Sequence, residues 1–83
     1  MIEDRAERRP DAELLHAELR QAVDRAIAAL PEAQRMAVVL RRYEQLSYEE
    51  IAEVLGTSVP AVKSLLFRAR TSLRDGLRDY LDD

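Results

Sequence analysis

The sequence predicts an all-α fold of four helices, the last two of which form a helix-turn-helix. The first observation is composition, because the 83 residues include only two glycines and three prolines while residues that favour helices are abundant. The second is periodicity, since apolar residues recur every three or four positions. The third is the position of helix breakers and caps, which divide the chain at Pro10, Pro31, Gly56 and Pro60.

The first helix is predicted from Pro10 to about Ala29, because proline is well tolerated in a first helical turn. Its apolar stripe, widened by Val23 and Ile27, consists of Leu15, Leu19, Ala22, Ala26 and Leu30.

Residues 1–9 are mostly charged and show no apolar periodicity. They are predicted to be a disordered tail or the remnant of a linker from a longer chain. The folded domain is therefore expected over residues 10–83.

The second helix is predicted near Pro31 to Glu44. Pro31 suits the first turn, and Glu32 lies where the helix dipole is positive. The expected core positions are Met36, Val39, Leu40 and Tyr43.

A third, short helix is predicted to begin at Tyr48. Ser47 and Glu50 have the spacing of a capping box, in which each side chain bonds the backbone amide of the other residue. Gly56 is expected to end this helix in the left-handed conformation. Ala52 is small where a following helix would cross. These features predict a helix-turn-helix, although short helical pairs also occur in small bundles without a DNA-binding role.

The fourth helix is predicted to be capped by Ser58, with Pro60 in its first turn. Gly76 is expected to weaken its last turns. The predicted buried stripe, widened by Leu77, consists of Val62, Leu66, Ala69, Leu73 and Tyr80.

Basic residues concentrate on this fourth helix, although the whole chain has a net charge of −3. Within residues 57–78 a single acid, Asp75, accompanies Lys63, Arg68, Arg70, Arg74 and Arg78. Such an excess is typical of a surface that binds nucleic acid. The alternative is an ordinary solvated helix face.

Enzymatic function is not expected, because a domain of this size has little room for a deep catalytic cavity. Glu49 and Glu50 are adjacent and point apart on a helix, and His16 lies on a predicted surface. The chain has no cysteine, no glycine-rich phosphate loop and no cluster of metal ligands. No cofactor or metal is predicted.

Membrane insertion is not expected either, since the longest apolar run is the five residues from Met36 to Leu40. The charged N-terminus leads into no apolar signal core. The absence of cysteine from the composition fits a reducing compartment, and a cytoplasmic location is predicted.

Three stretches carry a resemblance that covers about residues 22–77. They are LPEAQR at 30–35, LSYEEIAEVLG at 46–56, and VKS at 62–64 followed by FRAR at 67–70 and LR at 73–74. In this order and spacing they resemble region four of bacterial sigma factors, most closely the extracytoplasmic-function group of the sigma-70 superfamily. The resemblance implies a four-helix DNA-binding module.

The resemblance further implies that the domain, held on RNA polymerase, places its fourth helix in the major groove of the −35 promoter element and so directs transcription initiation. The implied base-reading residues are Pro60, Ala61, Ser64, Phe67 and Arg68. Arg68 can pair with guanine and Phe67 can pack on thymine methyl groups. The alternative for Phe67 is a place in the core.

Phosphate contacts, which set register rather than sequence, are implied for Arg41, Arg42, Ser58, Lys63 and Arg70. The alternative for Arg70 is a structural salt bridge.

The partners implied by the resemblance are promoter DNA, the beta flap of core RNA polymerase and an anti-sigma factor. The chain departs from many members of the family at Leu65, where arginine is common, and also at Thr57 and Pro60-Ala61. An exposed Leu65 would favour an apolar protein-binding patch. The alternative function is therefore a sigma-mimicking domain that mainly binds an anti-sigma factor. Nothing in the sequence matches the family's N-terminal domain, so the chain is expected to be a fragment of a longer protein. The alternative is a free-standing protein of this size.

Overall fold

The computed structural model describes residues 10–81 and contains five helices in that range. They are α1 (Pro10–Ala28), α2 (Glu32–Arg42), α3 (Tyr48–Leu55), α4 (Val59–Gly76) and α5 (Arg78–Leu81). The predicted all-α class is confirmed, and α1 to α4 correspond to the four predicted helices. The tail predicted for residues 1–9 and the terminal Asp82 and Asp83 lie outside the described residues.

Helix α1 contributes to the core only through its C-terminal half. Ala22 and Ile27 are buried, as is Leu30 just after the helix, which confirms the predicted stripe there. Leu15, however, is 63% exposed, so the N-terminal end of the predicted apolar stripe is not covered by the core. Every side chain from 12 to 16 is exposed, so the first turns of α1 lie beyond the helices that cover its second half.

The face that helix α2 turns to the core overlaps the predicted face only in part. Ala37 and Val38 are buried, whereas Met36 is exposed and Tyr43 is 53% exposed. Val39 and Leu40 are half-buried against the core, as expected. The prediction fails because α2 packs against α1, α3 and α4 together. A helix surrounded on several sides buries a broad face, and a small residue suits the closest approach.

The N-terminus of α3 has the predicted capping box. The Ser47 Oγ accepts a hydrogen bond from the Glu50 amide at 3.1 Å, and the Glu50 Oε1 accepts one from the Ser47 amide at 2.8 Å. Ile51 and Ala52 on the next turn are buried in the core. The backbone amides of Ser47 and Glu50 are thus both satisfied by side chains, which fixes the residue at which α3 begins.

Gly56 ends α3 with φ of 69° and ψ of 39°, the left-handed conformation that was predicted. The Thr57 amide then donates to the Ala52 carbonyl at 2.9 Å. This turn sets the angle between α3 and α4, so the helix-turn-helix depends on it.

Gly56→Val is expected to destabilise the fold by about 1 to 3 kcal/mol, because β-branched residues resist positive φ. A Cβ at this position would meet no atom within 4 Å, so the cost comes from the backbone alone. Urea unfolding followed by circular dichroism measures it. The matched control is Gly76→Ala in α4, where the new Cβ would make an ordinary contact of 3.9 Å with Ala26. That change should be neutral or stabilising by up to about 1 kcal/mol, and equal losses from both changes would contradict the assignment of the turn.

Helix α4 packs across the other helices through Val62, Leu66 and Ala69, which are buried, and Leu73, which is half-buried. These positions were predicted correctly. The helix ends at Gly76, and Leu77 follows as its buried C-cap residue with φ of −108°. Tyr80 was predicted to extend the stripe but is exposed. It lies in the separate helix α5, where the periodicity of α4 no longer applies.

Candidate nucleic-acid interface

The N-terminus of α4 is held by its own cap. The Ser58 Oγ accepts a hydrogen bond from the Ala61 amide at 3.2 Å, and Pro60 occupies the first turn. The Ser58 hydroxyl hydrogen is not used in this contact and can still be donated to an acceptor outside the helix. The cap thus fixes where α4 begins, three residues after the turn at Gly56.

One face of α4 points away from the core. Spacings of four, seven and eight residues from Pro60 place Ser64, Phe67 and Arg68 on this side, and all four are exposed. Ala61 is half-buried at its edge. Phe67 is 67% exposed, so the alternative that it belongs to the core is wrong.

Thr71 continues the same face one turn later and was not singled out from the sequence. It is exposed, and its Oγ1 donates to the Phe67 carbonyl at 3.2 Å. The helical spacing from Phe67 would have identified it.

Lys63, Arg70 and Arg74 lie along one flank of this face, because they are spaced by seven and four residues. All three are exposed. Arg70 forms no ion pair within residues 10–81, so the salt bridge considered for it is not observed there. Arg78, by contrast, pairs with Asp75 at 3.4 Å. The flank therefore presents three positive charges that no carboxylate neutralises by direct contact in the described structure.

Arg41, at the end of α2, has intramolecular partners that were not predicted from the sequence. Its Nη1 donates to the Leu46 carbonyl at 2.9 Å, and its guanidinium lies 4.9 Å from the centre of the Tyr48 ring. These contacts link the end of α2 to the start of α3. No local sequence signal would have found them, since they depend on the path of the intervening loop. The side chain is exposed and keeps further N–H groups available.

Arg42 follows on another side of α2, where its guanidinium lies 5.6 Å from the centre of the Tyr43 ring. It lines a cavity of about 210 Å³ together with Arg70 of α4. The other walls are apolar and come from α1, α2 and α4: Val23, Ile27, Val38, Leu66 and Leu73. Two of the arginines implied for phosphate contacts are thus brought together from different helices.

A separate, mainly apolar groove of about 410 Å³ lies between α2, α3 and α4. Its apolar lining includes Met36, Val54 and the half-buried Leu65. Glu32 and Thr57 lie at the same groove. The sequence suggested an apolar patch only through Leu65, because the other two side chains come from different helices.

The described residues contain no group of three or more His, Cys, Asp or Glu side chains placed to share a metal ion. Glu49, Glu50 and His16 are exposed, and the Glu50 carboxylate is engaged in the capping box. Among the helices of residues 10–81, none combines the length and hydropathy required to cross a membrane.

Comparison with known proteins identifies relatives of this chain. A family model described as "Sigma-70, region 4" matches residues 20–73. The chain is 48% identical over 64 residues to the ECF RNA polymerase sigma-E factor of Escherichia coli strain K12, which covers 77% of this chain and 34% of that protein. The factor of the same name from Salmonella typhimurium strain LT2 gives the same values.

The corresponding factor from Haemophilus influenzae is 41% identical over 72 residues, covering 87% of this chain and 38% of that protein. The chain therefore spans little more than a third of the length of these relatives.

Proposed function

The chain belongs to the sigma-70 region 4 family, and on this basis we propose that it is the DNA-binding domain of an extracytoplasmic-function sigma factor. In this proposal it recognises the −35 promoter element and directs RNA polymerase to initiate transcription.

The observation that carries the proposal is the outward face of α4. Ser64, Phe67 and Arg68 are exposed there, while the opposite side of the helix is locked into the core. Burying a phenylalanine side chain stabilises a fold by about 1.5 to 3 kcal/mol, and Phe67 forgoes most of that by remaining 67% exposed. An aromatic and an arginine on one face of a rigid helix suit thymine methyl groups and guanine in a major groove.

The phosphate contacts are proposed for residues that flank this face. Lys63 and Arg70 lie beside the reading residues, and Arg42 shares a cavity with Arg70. Ser58 and Arg41 already have intramolecular partners but keep donors for a phosphate oxygen. Contacts of this kind fix the position of the helix on the duplex and leave sequence discrimination to the bases.

Protein partners are proposed at the groove between α2, α3 and α4. Met36 and Val54 are exposed apolar side chains at its walls, which suits a protein partner better than DNA. Core RNA polymerase, through its beta flap, and an anti-sigma factor are the partners proposed here. The same groove favours a second candidate function, a sigma-mimicking domain that mainly binds an anti-sigma factor.

Selection from a randomised duplex library separates the two functions. The chain would replace the matching region of the Escherichia coli sigma-E factor, to which it is 48% identical, and the chimera would be assembled with core RNA polymerase. We expect the enriched duplexes to share a short upstream motif that disappears when Arg68→Ala is introduced. An assembly that forms normally but enriches no motif would contradict DNA reading and support the second candidate.

A further inference from the structure

Resting on the proposed function, we infer that the DNA contact extends beyond α4 onto α1. In this inference Arg20 joins Arg42 and Arg70 in a basic strip that binds the phosphates of duplex DNA flanking the recognised element. The basic strip is defined by these three arginines, which come from α1, α2 and α4 respectively.

The strip is continuous because Arg42 lines two neighbouring depressions. On one side it shares the cavity of about 210 Å³ with Arg70. On the other side it shares an open groove of about 520 Å³ with Arg20. Val23 lines both depressions, so they adjoin each other. Along the surface from α4 to α1, the arginines therefore lie in the order Arg70, Arg42 and Arg20.

The charges of the strip are available to a ligand. All three arginines are exposed, and none is paired with a carboxylate in the described part of the chain. Asp24 also lines the groove that holds Arg20. This carboxylate shares the groove with Arg20 and Arg42, and the cavity that holds Arg70 has no acidic residue in its lining. The two depressions together therefore keep a positive excess within an acidic domain.

Duplex phosphates suit this arrangement better than a small anion does. The three arginines are spread over two open depressions instead of converging on one enclosed pocket. Guanidinium groups bind phosphates through paired hydrogen bonds, and a duplex presents about one charge every 1.7 Å along its axis. The phosphates of a DNA strand that leaves the flank of α4 at Arg70 would next lie beside Arg42 and then beside Arg20.

Arg20→Ala tests the inference, with DNA binding measured by fluorescence anisotropy between 50 and 200 mM salt. Two duplexes are compared, one trimmed to the selected element and one extended on both sides. On the extended duplex, loss of one phosphate contact should lower the salt slope by about 0.9, so that the affinity ratio between the two salt concentrations falls about 3.5-fold. On the trimmed duplex the slope should not change.

Arg25→Ala is the matched control, since Arg25 is an exposed arginine on the same helix that lines neither depression. An equal change from both variants, no change from Arg20→Ala, or the same change on both duplexes would each overturn the inference. So would an Arg20→Ala variant that keeps its DNA salt slope but loses affinity for an acidic protein partner.

A random-sequence extended duplex separates this inference from the proposed function. If the chain shows no sequence preference but Arg20→Ala still lowers the slope, the basic strip stands and promoter reading fails. If the preference is present and the slope is unchanged, promoter reading stands and the strip fails.

Discussion

Ile51→Ala is expected to lower the free energy of unfolding by about 2 to 5 kcal/mol. Ile51 has 0% exposure and, with Val62, is one of the two largest fully buried side chains in the described structure. It lies in α3, directly before Ala52, within the core formed with α2 and α4. Truncation would leave a cavity that these helices cannot close without changing the helix-turn-helix.

The expected loss is large for a domain of this size. Native domains are stable by only about 5 to 15 kcal/mol, and short chains bury a smaller share of their surface. Urea unfolding followed by circular dichroism would give the difference. Val54→Ala on the same helix is the control, because Val54 is 57% exposed and its truncation should cost no more than about 0.5 kcal/mol. Similar losses for the two variants would contradict the orientation of α3.

Local chemistry could be predicted well from the sequence. The pairing of Ser47 with Glu50 and the left-handed Gly56 depend on residues close together in the chain, and both are observed. The buried positions of α4 were also predicted, because Val62, Leu66 and Ala69 follow the helical period on a helix with one dominant buried side.

The errors occur where burial depends on neighbouring helices. In α2 the apolar pattern suggested Met36 and Tyr43, but contacts with three other helices bury Ala37 and Val38 instead. Leu15 has the correct period for α1, yet burial requires another helix beside it, and its part of α1 is exposed. The periodicity of apolar residues indicates which face of a helix is apolar, but not how much of that face neighbouring helices cover.

The candidate site divides in the same way. The exposure of Ser64, Phe67 and Arg68 follows from the period of α4, whereas the adjacency of Arg42 and Arg70 does not. Depressions formed by side chains from three helices require the packing angles, which no single stretch of sequence contains.

Arg68→Ala is expected to weaken binding to the preferred duplex by about 1 to 3 kcal/mol and to remove discrimination at one base pair. Arg68 is exposed on the outward face of α4, and no ion pair or hydrogen bond occupies its guanidinium in the described structure. All N–H groups of the Arg68 guanidinium are therefore free to pair with guanine O6 and N7. The measurement is fluorescence anisotropy, with which binding to the selected duplex is compared with binding to its variants. Each variant replaces one base pair of the element by one of the three other base pairs.

Lys63→Ala provides the comparison, because Lys63 is equally exposed on the same helix but lies on the flank with Arg70 and Arg74. An ammonium group on a phosphate should contribute to all sequences alike, so this variant should lose affinity uniformly and reduce the salt slope by about one. Sequence discrimination should be unchanged. If both variants lose affinity equally for all sequences, Arg68 does not read a base. If Lys63→Ala relaxes sequence discrimination, the face of α4 that reads bases is rotated toward the flank that carries Lys63. The two variants together thus report how α4 is oriented in the major groove of the DNA.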